Sequence, residues 1–436
     1  MVLNSDSILQ IAKINLSKET GEMKRTVSAL LAILMLASLA ACGGGGGGGG
    51  NNNNNGGQNQ TGGGAEEFHI GIVTGTVSQS EDELRGAEAF IAEYKTVQDG
   101  GIVNHITYPD NFVAEQETMI ANIVSLADDP LCKAIVVNQS VPGTVAAFQQ
   151  IRELNPDILL LSGEPQEDAP MISAAADLVV GADNINRGYL MILAAKKMGA
   201  TKFVHISFPR HMSIDILARR YAIMRQACED LGIEFYSETA PDPTSDVGIP
   251  GAQQFILESM PAWVDKYGVD TAFFCTNDAQ TEPLLKRVAE LGAIFVEPDL
   301  PSPIMGYPGA FGIDLSKEAG DWPAILTKVE EVVIENGGSG RMGTWAYSYN
   351  YTTTAALAEL AYRTVKGEAS LDSMDDLMAC YAKYTPGAEW NGSNFSDTNG
   401  NITDNYLLIY QDTYVFGTGY LNQTDEVVDA KYRAVK

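Results

Sequence analysis

From Phe68 onward, short β-rich apolar runs alternate with amphipathic helical stretches, and this alternation constrains the fold more than any other feature of the sequence. The run "FHIGIVTG" at 68–75 is typical of a buried strand, and "EDELRGAEAFIAEYKTV" at 81–97 repeats its apolar residues on one helical face. Continuous apolar strands separated by helices indicate parallel sheets that are covered on both faces. The sequence therefore predicts the α/β class.

The alternation forms two successive sets. The first closes at "ADLVVGAD" (176–183), and the second starts with a helix at 186–198 and the strand "KFVHISF" (202–208). Two sets predict two doubly wound parallel-sheet lobes joined by a hinge. Because ligands of open parallel sheets bind beyond the carboxyl ends of the strands, we expect the functional residues in the loops that follow the strands.

The amino-terminal region carries the marks of export. Lys24 and Arg25 precede an apolar run of 15 residues, Val27–Ala41, which is too short to span a membrane comfortably but suits a secretory signal. The run ends in Leu-Ala-Ala before Cys42, which resembles the lipobox of bacterial lipoproteins and implies that the Cys42 thiol carries a lipid anchor. Translation can begin at Met1 or at Met23, and the sequence leaves both open.

The run "GGGGGGGGNNNNNGGQNQTGGG" that follows Cys42 cannot bury apolar surface, so we expect a flexible tether. The predicted division of the chain is an upstream extension and signal peptide at 1–41, the tether at 42–65, lobe 1 at 66–184 with a return segment at about 350–380, lobe 2 at 185–349 with a carboxyl-terminal hairpin region at about 381–421, and a tail at 422–436.

Composition excludes several functions. A formal net charge of −28 repels nucleic acid and anionic lipid headgroups, so we expect no nucleic-acid partner.

The cysteines after Cys42 form no CxxC pair and are expected as buried free thiols, although pairing stays open. The histidines form no metal-binding pattern, and the G-x-G-x-x-G match at 338–343 follows a helix rather than a strand. We predict no metal site, no cofactor and no catalytic residues.

Two motifs resemble type I periplasmic binding proteins, the ribose-binding and LacI-like group. In "VVGADNINRGYLMILAAKKMGA" (179–200), Asp183, Asn184 and Gly188 match the crossing between lobes, and "FFCTNDAQTEPLLKRVAELG" (273–292) matches the family's strand that ends in Asn-Asp. The resemblance covers about residues 68–368 in order and spacing. It implies that Asn277 meets the ligand and that Asp278 caps the following helix.

The resemblance and the loops after the strands together nominate the ligand-binding residues. These candidates are Thr76, Ser78, Gln79, Asn138, Gln139, Glu164, Arg210, His211, Arg220, Asn277, Asp278, Tyr307, Tyr347, Ser348 and Tyr349. The usual sugar-binding pattern is broken, because the loop 76–82 lacks an aromatic ring, Ser162-Gly163-Glu164 stands where Asp-Arg is common, and Gly306-Tyr307 stands where Asp is common.

Two segments leave alternatives open. The aromatic segment "TWAYSYNYTTT" (344–354) either walls the cleft with Trp345, Tyr347 or Tyr349 or packs these rings into the core. In the carboxyl-terminal part, "NYLLIYQDTYVFGTGY" (405–420) predicts a hairpin. The stretch "SDTNGNITDN" (396–405) admits a calcium loop, but it lacks the downstream glutamate of an EF-hand, and its Asn-Gly pair favours a turn.

These features predict a lipid-anchored extracytoplasmic solute-binding protein of a bacterium, monomeric, which captures a small polar or aromatic metabolite for the membrane permease of an ABC-type importer. The membrane is contacted only through the anchor. A ligand-sensing subunit of a membrane signalling protein is the alternative, and an enzyme of the cell envelope is a more distant one.

Overall fold

The computed structural model describes residues 68–424, 426 and 428–435, with the side chains of Gln79 and Ser80 excepted. The predicted signal peptide, the lipidated Cys42 and the tether lie outside the described residues. Among the described helices, none combines the length and the apolar character needed to cross a membrane.

Lobe 1 is the first set of alternating elements. They are, in chain order, β1 (His69–Thr74), α1 (Val77–Tyr94), β2 (Val103–Thr107), α2 (Gln116–Ser125), β3 (Cys132–Asn138), α3 (Thr144–Leu154), β4 (Leu159–Gly163), α4 (Ala169–Ala175) and β5 (Leu178–Ala182). These strands are parallel to one another, and the sheet order is β5-β4-β3-β1-β2. The central strand β3 buries Ile135, Val136 and Val137 completely, as its continuous apolar sequence predicts.

Lobe 2 is the second set. Its elements are α5 (Asn184–Lys197), β6 (Lys202–Ser207), α6 (Pro209–Met212), α7 (Asp215–Leu231), β7 (Glu234–Thr239), α8 (Gly248–Tyr267), β8 (Thr271–Cys275), α9 (Thr281–Leu291), α10 (Tyr307–Phe311), α11 (Trp322–Glu335) and β9 (Gly343–Trp345). A parallel sheet has the order β7-β6-β8. The apolar run at 293–297 forms only single bridges, through which Ile294 pairs with Ala272 and Phe295 pairs with Met342.

The remaining chain returns to lobe 1 and then contributes to both lobes. It forms α12 (Tyr349–Val365), α13 (Met374–Tyr384), β10 (Asn391–Ser396), β11 (Ile402–Tyr410), β12 (Thr413–Val415), β13 (Gly419–Tyr420) and α14 (Ala430–Arg433). Helix α12 packs between α1 and α13 and against the sheet at β3. Ten of its central residues, Thr352–Ala361, are all buried, which explains why this helix is rich in alanine and threonine.

The predicted hairpin at 405–420 is confirmed only over its second half, where β12 and β13 pair antiparallel, and it is wrong for the first half. Strand β11 joins the sheet of lobe 1, parallel to β5 and antiparallel to β10, whereas β12 pairs with β9 and β13 in lobe 2. The apolar sequence "NYLLIY" is compatible with a strand that is buried between two neighbours and also with one strand of a hairpin. Its pattern therefore could not predict which strand it pairs with. A further hairpin, formed by β10 and β11, has its turn at Asp397–Asn401, as the Asn-Gly pair indicated, with Gly400 at φ 84°.

The four described cysteines, Cys132, Cys228, Cys275 and Cys380, are buried free thiols. The preferred expectation for them is confirmed. Burial raises the pKa of the Cys228 thiol to about 12, so that it stays protonated and unreactive at neutral pH.

Candidate functional site

A small enclosed cavity lies where the carboxyl ends of the strands of both lobes meet. Its volume is about 40 Å³, which is enough for a group the size of one water molecule. It is lined by residues of both lobes, namely Gln139, Glu164, Pro165, Gln166, His211, Ile214, Ile216, Leu217, Thr276, Asn277, Asp278, Asp299 and Leu300. The position is the one that the topology of open parallel sheets predicts.

Two glutamines line the lobe 1 side. Gln139 directly follows β3, and Gln166 lies three residues after the end of β4. Gln166 Nε2 donates a 3.0 Å hydrogen bond to Gln139 Oε1, and Gln139 Nε2 lies 3.5 Å from Asp278 Oδ2 of lobe 2. The glutamine pair therefore connects two loops of lobe 1 and extends the connection to lobe 2.

Asn277 and Asp278 line the lobe 2 side, in a 3-10 turn that follows β8. Asn277 Oδ1 accepts a 3.1 Å hydrogen bond from the Ala279 amide and so caps this turn. The expectation that Asp278 is the capping residue is wrong, because the turn begins one residue earlier than a regular helix would. Asp278 is thereby released from a capping role and lines the cavity.

His211 reaches the cavity from the short helix α6, which follows β6. Its Nδ1 lies 3.1 Å from Thr276 Oγ1, and Thr276 Oγ1 lies 2.8 Å from Ser207 Oγ. Burial, reinforced by the positive charge of Arg210, lowers the pKa of His211 to about 4. At neutral pH this histidine is uncharged, so it offers the cavity a hydrogen bond without a cation.

Arg210 spans the two lobes beside the cavity. Its guanidinium forms an ion pair with Asp242 at 2.7 Å within lobe 2, and Nη1 donates a 3.3 Å hydrogen bond to Gln166 Oε1 of lobe 1. The same group stands 5.6 Å from the centre of the Phe112 ring of lobe 1 and 5.3 Å from that of Phe208. Arg210 thus makes one of the few polar contacts between the lobes in the described part of the chain.

Two adjacent carboxylates of helix α1 are buried near the cavity. Asp82 is 1% exposed and Glu83 is fully buried. Asp82 Oδ2 accepts a hydrogen bond from Ser348 Oγ, and Glu83 Oε1 accepts one of 2.5 Å from Asn350 Nδ2. Burial raises the pKa of Asp82 to about 6, and it raises that of Glu83 well above its ordinary value with a contribution from the charge of Asp82.

Two further carboxylates of the cavity have raised pKa values. Burial, together with the charges of Asp299, Glu83 and Asp82, raises the pKa of Asp278 well above its ordinary value. Burial also raises the pKa of Glu164, which follows β4 at a positive φ of 40° and accepts a 2.8 Å hydrogen bond from the Ala182 amide. The cavity is therefore surrounded by acidic groups that repel one another.

Arg220 lies in a buried network at the crossing between the lobes, and it is not among the cavity-lining residues. It pairs with Asp299, and Nη1 donates a 2.6 Å hydrogen bond to Asn184 Oδ1. Arg187 donates a 3.1 Å hydrogen bond to the same Asn184 oxygen and pairs with Glu297 at 2.9 Å. Asn184 of the Asp-Asn motif therefore accepts hydrogen bonds from both arginines.

The remaining predicted site residues lie away from the cavity lining. Thr76 caps α1, and Ser78 is exposed in its first turn. Three others take part in hydrogen bonds of the fold: Asn138 Nδ2 donates to Thr354 Oγ1 at 2.8 Å, Tyr307 donates to the Gly343 carbonyl at 2.6 Å, and Ser348 caps α12. The side chain of Gln79 is outside the described set.

The aromatic segment at 344–354 packs inward, which decides between the two alternatives left open by the sequence. Trp345 and Tyr349 are fully buried in the larger hydrophobic core, which includes residues of both lobes, and Tyr347 belongs to the second core, in lobe 2. Trp345 Nε1 donates a 3.0 Å hydrogen bond to Glu297 Oε2, and its ring lies 5.3 Å from the Arg187 guanidinium. These rings support the hinge and do not line the cavity.

Comparison with known proteins identifies the family. A family model described as "Protein of unknown function (DUF3798)" matches residues 68–343, which is more than half of the chain, and a second family model matches residues 354–435. The chain belongs to the DUF3798 family.

Two proteins of Treponema pallidum (strain Nichols), both described as uncharacterized, are similar to this chain. One is 39% identical over 220 residues, covering 50% of this chain and 100% of its own, and the other is 45% identical over 180 residues, covering 41% and 81%.

Solved structures place this DUF3798 chain among two-lobed binding-protein folds. A protein of Clostridium difficile 630 described as a transcriptional regulator superposes with a TM-score of 0.63 at 24% identity, covering 80% of this chain and 99% of its own. An ABC transporter periplasmic solute-binding protein of Actinobacillus succinogenes 130z, with bound D-allose, gives a TM-score of 0.48 at 16% identity, covering 70% and 93%. The likeness to the Clostridium difficile protein shows that this chain shares its fold.

Sequence reasoning missed several acidic residues of this DUF3798 site, notably Asp82, Glu83 and Asp299. A signal existed for Glu83, because it is four residues before Ala87 and seven before Phe90, on the buried face of α1. Asp299 follows the apolar run at 293–297, the position at which a parallel strand would deliver a site residue. No comparable signal existed for Gln166, which reaches the cavity only because of the local loop path.

Proposed function

We propose that this chain is an extracytoplasmic solute-binding protein, held at the membrane by a lipid on Cys42, that captures a small polar solute between its two lobes for the permease of an ABC-type importer. The observation that carries the proposal is the convergence of polar side chains from both lobes on one enclosed space. Gln139 and Gln166 come from lobe 1, and His211, Asn277 and Asp278 come from lobe 2.

The geometry supports capture by closure of the lobes. A solute would enter when the lobes separate and would be enclosed when they approach again. Polar contacts across the cleft are few, with Gln139–Asp278 at 3.5 Å and Arg210–Gln166 at 3.3 Å among them. Contacts this weak can be broken and replaced by a solute at small free-energy cost.

The polar groups around the space have the properties of a recognition site. His211 is uncharged at neutral pH, Asn277 is fixed by its capping bond, and the two glutamines are held by each other. Fixed donors and acceptors in a dry cavity orient a ligand and give specificity, because a poorly matched solute leaves them without partners. The sequence adds the signal segment, Cys42 and a tether, which are the parts that an anchored receptor needs.

Two measurements on the purified full chain test the proposal. Native mass spectrometry, first under gentle and then under denaturing conditions, is expected to release a co-purified small molecule. Small-angle scattering of the protein, freed of this molecule by dialysis from denaturant and refolding, is expected to show larger dimensions that shrink when the molecule is returned. Dimensions that do not change with any solute would contradict capture between the lobes.

A further inference from the structure

Three buried carboxylate oxygens beside the cavity accept no hydrogen bond. They are Asp82 Oδ1, Glu83 Oε2 and Asp278 Oδ1. The first two belong to side chains of α1 that are at most 1% exposed, and the third belongs to a residue that lines the cavity. Buried polar atoms in native proteins are almost always paired, so three unpaired acceptors at one place indicate a missing donor.

The three carboxylates lie near one another although they come from different lobes, and Asp278 is the one that lines the cavity. Helix α1 contacts the turn at Asp278–Gln280, which brings the amino-terminal part of this lobe 1 helix against lobe 2. Gln139 lies between the carboxyl groups of the two lobes, since its side-chain amide interacts with Glu83 of lobe 1 and its Nε2 lies 3.5 Å from Asp278 Oδ2 of lobe 2. A group placed between the lobes at this point meets carboxyl groups from each lobe.

No cation of the described chain balances these charges. Arg210 is paired with Asp242, Arg220 with Asp299 and Arg187 with Glu297. None of the ion pairs found within residues 68–424 includes Asp82, Glu83 or Asp278. Burial disfavours the ionised form of these carboxyls, so a ligand that brings a positive charge and N–H donors would pair with them and favour their ionisation.

We infer that the solute is an organic cation with a primary ammonium or guanidinium group, held between Asp82 and Glu83 of lobe 1 and Asp278 of lobe 2. This inference rests on the proposed function and names its ligand class. The cationic group lies beside Asp278 in the cavity, and the rest of the solute occupies room that the lobes yield as they part. Among the described residues, no three His, Cys, Asp or Glu side chains converge closely enough to hold a metal ion, so the spread of these carboxylates fits a polyatomic cation better.

Matched solutes that differ in charge test the inference on the full chain. The probes are D-glucosamine against D-glucose and D-glucuronate, putrescine against 1,4-butanediol, and agmatine, with calcium chloride as the metal probe. At least one cationic organic probe is expected to raise the melting temperature and to bind in calorimetry, and its neutral or anionic counterpart is not. Asp278→Asn is expected to weaken that binding at least tenfold, which corresponds to about 1.4 kcal/mol.

Two control variants separate loss of recognition from loss of folding. Asp265→Asn changes an exposed carboxylate of α8 in the same lobe and is expected to leave binding unchanged. Glu83→Gln removes a second charge on the opposite lobe and is expected to weaken binding in the same direction as Asp278→Asn. Both cavity variants should keep a cooperative thermal transition, which establishes that they are folded.

The outcomes distinguish this inference from the proposed function. Binding of a neutral or anionic probe with closure of the lobes would overturn the cationic class and leave the solute-binding function standing. Stabilisation by calcium alone, or cationic binding that Asp278→Asn does not weaken, would also overturn it. If no probe of any charge binds or changes the scattering dimensions, both proposals are contradicted.

Discussion

At the scale of single residues, a buried carboxyl group near the cavity lowers the stability of the folded protein when it is ionised. Asp82 is almost completely buried, and its Oδ1 has no hydrogen-bond partner. Burial raises its pKa from 3.8 to about 6, so the folded protein prefers the protonated form. Protonation therefore contributes stability that is fully present below the unfolded pKa near 4 and is lost as the pH rises through about 6.

Asp82→Asn is expected to stabilise the unliganded protein at high pH. A shift of about two pKa units corresponds to about 3 kcal/mol, so the variant should gain up to about 3 kcal/mol in the free energy of unfolding at pH 8 and only about 1 kcal/mol at pH 4.5, which lies just above the unfolded pKa. Urea unfolding at both pH values measures this difference. The variant Asp265→Asn serves as the control, and a gain at pH 8 that persists unchanged at pH 4.5 would contradict the assignment to ionisation.

At the scale of secondary-structure elements, the two-lobed alternation could be predicted because each buried strand and each covering helix has its own local pattern. The partners of the carboxyl-terminal strands could not be predicted. Strand β11 lies beside β5, more than 200 residues earlier, and the Asp183 amide donates a 2.8 Å hydrogen bond to the Ile409 carbonyl. A single sequence contains no local signal for such a pairing.

The cavity shows the same limit. The loops after β3 and β8 were predictable as sources of site residues, and Gln139 and Asp278 do line the space. The aromatic candidates Tyr307 and Tyr349 lie in the cores instead. An aromatic residue after a strand can pack in the core as well as contact a ligand, and the sequence does not distinguish the two. The carboxylates of α1 escaped prediction because acidic residues near a helix start are ordinarily solvated.

The position of β11 between β5 and β10 leads to a prediction on hydrogen exchange. Strand β11 is paired on both sides and buried over its last five residues, Tyr406–Tyr410, whereas the edge strand β10 is exposed over its first four. Amides of β11 are expected to exchange on the order of 10 to 100 times more slowly than those of β10, because they open only with the lobe 1 sheet. The amides of β5 provide the reference, and β11 amides that exchange as fast as the turn at 397–401 would contradict the topology.

At the scale of the whole molecule, the balance between open and closed lobes rests on few contacts, and Arg210 makes several of them. Its guanidinium reaches Gln166 and the Phe112 ring of lobe 1 while it remains paired with Asp242 of lobe 2. A hydrogen bond and a cation–π contact together contribute about 1–2 kcal/mol. Loss of this amount shifts the ratio of closed to open molecules by about tenfold.

Arg210→Ala is therefore expected to open the unliganded protein, with a radius of gyration larger by on the order of 1 Å in small-angle scattering, as a hinge motion between lobes requires. Because the alanine variant also leaves Asp242 without its partner, Phe112→Leu serves as a second variant that removes the aromatic face and spares the ion pair. The matched control is Arg225→Ala on the exposed face of α7, which should not change the dimensions. If Arg210→Ala and Phe112→Leu both scatter like the unaltered chain, the lobes are held by other contacts, and closure cannot be governed by this residue.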